Sequence, residues 1–277
     1  MLVTGSARLL GRSRQEAVAD VLAADPVGAC LVAARFERAG MDRAGLGGHF
    51  WGVDGGRSAV VFDGANLIPL SGDDDAMRRV AQVLGRRGRN CASMLGRAGL
   101  VLPLWEALAA GWGPAREIRP DQPLLALHGR PQVAADPLVR RVRPEQLWSY
   151  FPAAVAMFTE EVGVDPRRPD DGAAYRRRVA SLIDGGFAFA RYDGDRVLAK
   201  AEIGALSRHV ALIQGVWVDP AHRGRGLARS LMGTMVHHIH SLGRIPSLYV
   251  NAHNRPARAV YEKVGFTQVG TFATVLF

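Results

Sequence analysis

Hydrophobic and polar positions in the second half of the chain alternate in blocks that predict a regular succession of strands and helices. Residues 139–143 read as a first strand, and Pro144 opens a helix whose patterning runs from Leu147 to Val162. A second helix is expected over 173–184, closed by Gly185-Gly186. Residues 187–192 and 197–203 alternate as strands about an Asp193-Gly194 turn. A central strand at 211–218, a glycine-rich loop and a long helix at 227–242 follow. A strand at 247–251, a helix around Tyr261 and a final strand pair reaching Phe277 complete the order. The predicted succession is β-α-α-β-β-β-α-β-α-β-β.

The first half can be laid beside this pattern. Residues 64–70 fall where the central strand should be, and 73–87 stand in for the long helix. Residues 91–95 match the next strand, 104–108 the short helix and 122–128 the last strand. The chain is therefore read as a tandem repeat of one α/β (α+β) unit, cut at 1–134 and 135–277. Each copy is expected to hold a mixed, mostly antiparallel sheet flanked by helices.

Composition changes this picture little. The 277 residues are 48% hydrophobic and 22% charged, as in globular proteins with real cores. The net charge is +9, yet only Lys200 and Lys263 are lysines, and the arginines are scattered along the chain. The densest basic run, Arg86-Arg87-Gly88-Arg89, reads as a solvated turn, so no specific nucleic-acid partner is expected. Cys30 and Cys91 lack pairing or metal-ligand spacing and predict burial in a reducing compartment. Met1 to Arg14 carries arginines without an apolar run of signal-peptide length, and no window is long enough to span a bilayer. A cytoplasmic protein is expected; its oligomeric state is not legible.

The chemistry concentrates in two segments. Residues 215–228 give a strand, a tight turn and the loop Arg223-Gly224-Arg225-Gly226 before a helix opening on Leu227-Ala228. Such a loop exposes backbone N–H groups at a helix N-terminus, where they and the dipole favour a pyrophosphate. About thirty residues later comes Asn254-Arg255-Pro256-Ala257-Arg258-Ala259-Val260-Tyr261-Glu262-Lys263-Val264-Gly265-Phe266. Together the segments resemble the GCN5-related N-acetyltransferase (GNAT) superfamily, matching its Arg-x-x-Gly-x-Gly/Ala loop at Arg223, Gly226 and Ala228. The chain is also similar, along nearly its full length, to a tandem-domain actinobacterial type. Residues 158–163 and 270–277 carry that match. At the place of the glycine loop the first half has Ser71-Gly72-Asp73-Asp74-Asp75, whose carboxylates suit a helix N-terminus but repel a pyrophosphate. The first copy is therefore read as degenerate, a scaffold or cleft wall without a cofactor loop.

The resemblance implies acetyl transfer from acetyl-CoA to a primary amine. It assigns pyrophosphate binding to Arg223, Gly224, Arg225, Gly226, Leu227, Ala228 and Arg229, with Asn254 a further cofactor contact or a helix cap. Val216, Trp217 and Val218 would offer backbone groups to pantetheine at a bulge that opens the sheet for the thioester. Tyr261 matches the acid that protonates the departing thiolate. The base is less clear. Tyr249 stands where the ribosomal-protein acetyltransferases of the family carry a glutamate, which leaves Glu160, Glu161 and Glu202 as candidates, with His209 in a loop. Glu161 and Glu202 join Tyr261 as the expected catalytic residues. His237-His238-x-His240 reads as a helix face, and no metal is expected. The leading expectation is a small amine-bearing metabolite as acceptor. A protein lysine or N-terminus, or a non-catalytic acyl-CoA sensor or partner module, stands as the alternative.

Overall fold

The computed structural model describes residues 6–168 and 170–277. Met1–Gly5, part of the arginine-bearing N-terminal stretch, and Pro169 lie outside them. The fold is mixed α/β, and the chain divides into two compact units.

The first unit takes the chain up to Leu125. It runs through β1 (Arg8–Leu9), α1 (Gln15–Ala24), α2 (Cys30–Ala39), α3 (Arg43–Leu46), β2 (Gly48–Val53), β3 (Ala59–Gly64) and β4 (Asn66–Ser71). It continues with α4 (Asp74–Arg87), β5 (Ser93–Arg97), α5 (Ala98–Trp112) and β6 (Glu117–Ala126). Alternation of side chains along the strands sorts the core into two layers. Trp51, Val53, Ala59, Val61 and Met94 face α4 and α5, while Phe50, Val60, Phe62 and Leu95 pack with residues of α1 and α2. Strand β4 runs parallel to β5 and antiparallel to β3, with a register shift opposite Leu70.

The second unit contains β7 (Val139–Arg141), α6 (Leu147–Val162), α7 (Ala173–Asp184), β8 (Ala188–Asp193), β9 (Arg196–Leu206) and β10 (Val210–Val218). It continues through α8 (Leu227–Ser241), β11 (Ile245–Tyr249) and α9 (Arg255–Val264). Its strands are ordered β11-β10-β9-β8-β7, with β10 parallel to β11 and the other recorded pairs antiparallel. Helix α8 buries Leu231, Met232, Met235, Val236 and Ile239, one face at helical spacing. Both units place helices, three in the first and two in the second, before three antiparallel strands, then a helix, a parallel strand and another helix.

Several boundaries differ from the sequence reading; helix α5, for instance, spans Ala98–Trp112 where 104–108 was expected. The expected final strand pair is one strand, β12 (Thr267–Leu276). From Gln268 onward it belongs to the first unit, between β5 and β6 in strand order, together with Tyr249–Asn254. A single cut after residue 134 therefore does not separate the units, because the chain re-enters the first one twice. Strand β11 begins at Ile245, two residues before the expected 247, because the parallel ladder to Val210 starts there.

Candidate functional site

The site of the second unit is built on the C-terminal end of β10. The parallel ladder to β11 pairs Val210 with Ile245 through Leu212 with Ser247, and β10 then runs on to Val218. On its other edge β10 pairs with β9, but the register shifts between Gln214, opposite Glu202, and Trp217, opposite Lys200. Gly215 and Val216 thus face the single residue Ala201. This is a β-bulge, with Gly215 at φ +59°. It lies among Val216, Trp217 and Val218, where the resemblance places the thioester slot.

Asp219 launches the loop. Its carboxylate accepts from the Ala221 N–H at 2.9 Å and pairs with Arg196 at 2.7 Å, fixing the turn through Pro220. Gly224 and Gly226 both adopt left-handed backbone, with φ +76° and +81°. A Cβ would meet nothing at Gly224 and only Arg229 Nη2, 4.0 Å away, at Gly226. The glycines therefore serve the backbone path and leave the space above it clear. Gly226 is the N-cap of α8 and no side chain caps the helix, so its first N–H groups face that space. Arg225 and Arg229 are exposed at the same loop.

Helix α4 of the first unit contrasts with this. Asp73 caps it, accepting the Ala76 N–H at 2.8 Å, and Asp74 and Asp75 fill its first turn. A carboxylate of the chain itself occupies the position that an anion takes at an uncapped helix.

Arg223 does not project from the loop. Its Nε donates to the Val218 carbonyl at 3.1 Å and its Nη2 to Glu160 at 2.6 Å. The other Glu160 oxygen accepts from Trp217 Nε1 at 3.0 Å. Glu160 on α6 thus joins the strand to the loop, and both its oxygens are engaged. This use of the Trp217 and Arg223 side chains was not legible in the sequence, since the partners lie about sixty residues apart.

Tyr261 is buried on α9, which packs against α8. Burial first, and the Glu161 carboxylate second, push its phenol above the usual tyrosine range. The structure thereby brings Tyr261 within electrostatic reach of Glu161, which is exposed near the end of α6. Glu202 is different. It is 3% exposed and accepts from Lys200 Nζ at 2.7 Å and from the Tyr150 hydroxyl at 2.8 Å, with Gln214 Nε2 at 3.3 Å. Burial would raise its carboxyl, but Lys200 and the hydrogen bonds outweigh that and hold it below the ordinary range. A buried carboxylate so stabilised is a poor proton acceptor, so Glu202 does not suit the role of base. Asn254 directly precedes α9 in the chain, its N–H bonded to the Asn251 carbonyl at 2.9 Å, in the segment counted with the first unit.

The three histidines of α8 make separate contacts: His237 with the Val133 carbonyl, His238 with Arg141 and His240 with the Leu127 carbonyl. Among the described residues no three His, Cys, Asp or Glu side chains cluster as metal ligands, and no helix is long and apolar enough to cross a membrane. Cys30 and Cys91 are buried and form no disulfide, and burial pushes the Cys91 thiol up to about 11.

Comparison with known proteins bears on this geometry. Residues 148–266 match the acetyltransferase (GNAT) family, and residues 48–150 match a domain of unknown function, DUF4081. The mycothiol acetyltransferase of Nocardia farcinica is 32% identical over 231 residues, covering 73% of this chain and 74% of that protein. The match to the mycothiol acetyltransferase of Corynebacterium glutamicum strain R is 39% identical but shorter, covering 27% of this chain and 26% of that protein. Among solved structures, a GCN5-related N-acetyltransferase from Sphaerobacter thermophilus covers 98% of this chain and 95% of its own, with a TM-score of 0.58 and 17% identity. At that identity the likeness shows the fold.

Proposed function

Because the chain belongs to the GNAT family of N-acetyltransferases, we propose that it transfers the acetyl group of acetyl-CoA to the primary amine of a small metabolite. The observation that carries this reading is the uncapped N-terminus of α8 behind Gly224 and Gly226, directly after the bulge of β10. Amides of Arg225 to Arg229 would bind the pyrophosphate, with the Arg225 and Arg229 guanidinium groups beside it. Arg223 would act from behind, holding the loop to Glu160 and Val218. The pantetheine amides would pair with the backbone of Val216 to Val218, and a bulge N–H would polarise the acetyl carbonyl.

Glu161 is the base in this reading, since it is exposed and its charge reaches Tyr261. It takes a proton from the acceptor ammonium, and the free amine attacks the acetyl carbon. The C–N bond forms, the C–S bond breaks, Tyr261 gives its proton to the departing thiolate, and the surplus proton of the new amide nitrogen returns to the phenolate. An ordinary thiol titrates near 8.5, so the leaving group needs only modest help. The Asp73-capped first unit takes no part in CoA binding at α4. The names of the relatives make a mycothiol-related amine the first acceptor to try.

Calorimetric titration with acetyl-CoA, against CoA, succinyl-CoA and ATP, tests the donor half of the reading. One acetyl-CoA per chain is expected. No binding, or two equivalent sites, would overturn it.

A further inference from the structure

With Glu202 unsuited to be the base, a fully buried ion pair is left directly beneath the proposed thioester slot. Lys200 is 0% exposed, and its Nζ donates to Glu202 Oε1 at 2.7 Å. The two residues are separated by one position on β9, so their side chains share a face. Their register partners on β10 are Trp217 and Gln214, the residues on either side of the bulge. The pair therefore spans the irregularity on the neighbouring strand.

Three further contacts lock this arrangement. Gln214 donates its amide to Glu202 Oε2 at 3.3 Å, and its side chain occupies the space a Cβ on Gly204 would fill. Tyr150, also 0% exposed, donates its hydroxyl to Glu202 Oε1, and its ring centroid lies 5.4 Å from Lys200 Nζ. Gly215 sits over the pair, where an added Cβ would lie 3.1 Å from Lys200 Nζ and 3.3 Å from Glu202 Oε2. Sliding the bulge by one residue would place Gln214 or Val216 there. Either would crowd the Lys200, Glu202 and Met157 side-chain ends, and neither favours a φ of +59°. Removing a lysine and a glutamate from water is costly, and apolar residues of like volume often serve stability as well or better. Two such charges in this place point to a demand other than stability.

We propose that Lys200 and Glu202 are positioning residues that pin the β10 bulge at Gly215–Val216 and so hold the backbone of Val216 to Val218 in the shape that receives the thioester arm. The functional half of this proposal rests on the acetyl-CoA reading above; the structural half does not.

The test replaces both charges at once, Lys200→Met with Glu202→Met, and follows amide hydrogen exchange by mass spectrometry over peptides covering 212–218. Acetyl-CoA and CoA affinities are measured by calorimetry. If the pair is only core, the apolar double variant keeps both its exchange pattern and its affinities. If it pins the bulge, thermal stability is retained while exchange at 214–218 rises at least tenfold. Acetyl-CoA affinity then falls severalfold, and that of CoA falls with it, because the pantetheine amides of both use the backbone of Val216 to Val218. Unchanged local exchange overturns the proposal. Should the double variant not fold, Tyr150→Phe removes one donor from Glu202 without altering the core shape. A smaller local rise is then expected, and no rise overturns the proposal. Failure of the wild type to bind acetyl-CoA would sink the functional reading, while the exchange measurement would still decide the clamp.

Discussion

Arg223 and Glu160 form a 2.6 Å ion pair that ties the glycine loop to α6. The pair is half exposed, at 51% and 45%, so it contributes about 0–1 kcal/mol to stability. Its effect should appear instead in how ready the loop is for its ligand. Glu160→Gln keeps an acceptor for Trp217 but loses the charge. We expect acetyl-CoA affinity to fall roughly two- to fivefold through lost preorganisation, with little change in melting temperature. Calorimetry at low salt checks this, and equal affinities would show that the loop is held without Glu160.

Gly226→Val should be far more severe for binding than for folding. The residue stands at φ +81° with open space around it. A β-branched residue there is strained by about 1–3 kcal/mol and covers the amides that follow. Acetyl-CoA affinity is expected to drop at least about 100-fold while the protein still melts cooperatively, a few degrees lower. Near-normal affinity would remove this loop from the site.

Tyr261→Phe should lower kcat roughly 10- to 100-fold and leave acetyl-CoA affinity unchanged. Because burial and Glu161 push the phenol up, it stays protonated well beyond neutral pH. Wild-type kcat should therefore not decline between about pH 7 and 9.5 on account of this group. A wild-type decline with a midpoint in that window, lost in the Phe variant, would contradict the assignment.

Glu161→Gln removes the proposed base but not the amine's own ability to deprotonate. An alkyl ammonium titrates near 10, so the variant's rate should climb about tenfold per pH unit below that value. A variant as fast as wild type at neutral pH would move the base elsewhere.

Asp25 and Arg97 make a bidentate pair in the first unit, at 2.7 Å for both contacts. Burial raises the Asp25 carboxyl, but Arg97 and the Gly28 N–H outweigh it and leave it below the ordinary range. A group depressed in the folded state stabilises above its unfolded value, and that contribution is lost as pH falls through the folded one. The melting temperatures of wild type and Asp25→Asn should differ most near neutral pH and converge in acid, as pH falls below the ordinary aspartate range. A gap that persists at low pH would assign the effect to packing.

Much of the second unit was legible because its cues are local. Helical spacing and terminal glycines marked α6 and α7 at the ends observed, and the Asp193-Gly194 turn separated β8 from β9. In the first unit the run Asp73 to Asp75 marked the N-terminus of α4, whose cap is Asp73. The glycine loop was equally plain, since a left-handed path before a helix asks for glycine and leaves that mark in the sequence.

The sequence by itself determined most strands and helices of the second unit, the glycine loop before its long helix, and which family the two motifs resemble. Tertiary structure decided the rest. It assigned most of β12 to the first unit, because pairing with β5 depends on residues more than a hundred positions away. It also sorted three glutamates of similar sequence appearance. Glu160 is held by Trp217 and Arg223, Glu202 is sunk against Lys200 and Tyr150, and Glu161 is exposed, its charge felt at Tyr261. A carboxylate's basicity depends on its burial and on the charges around it, and those are fixed only when distant segments meet.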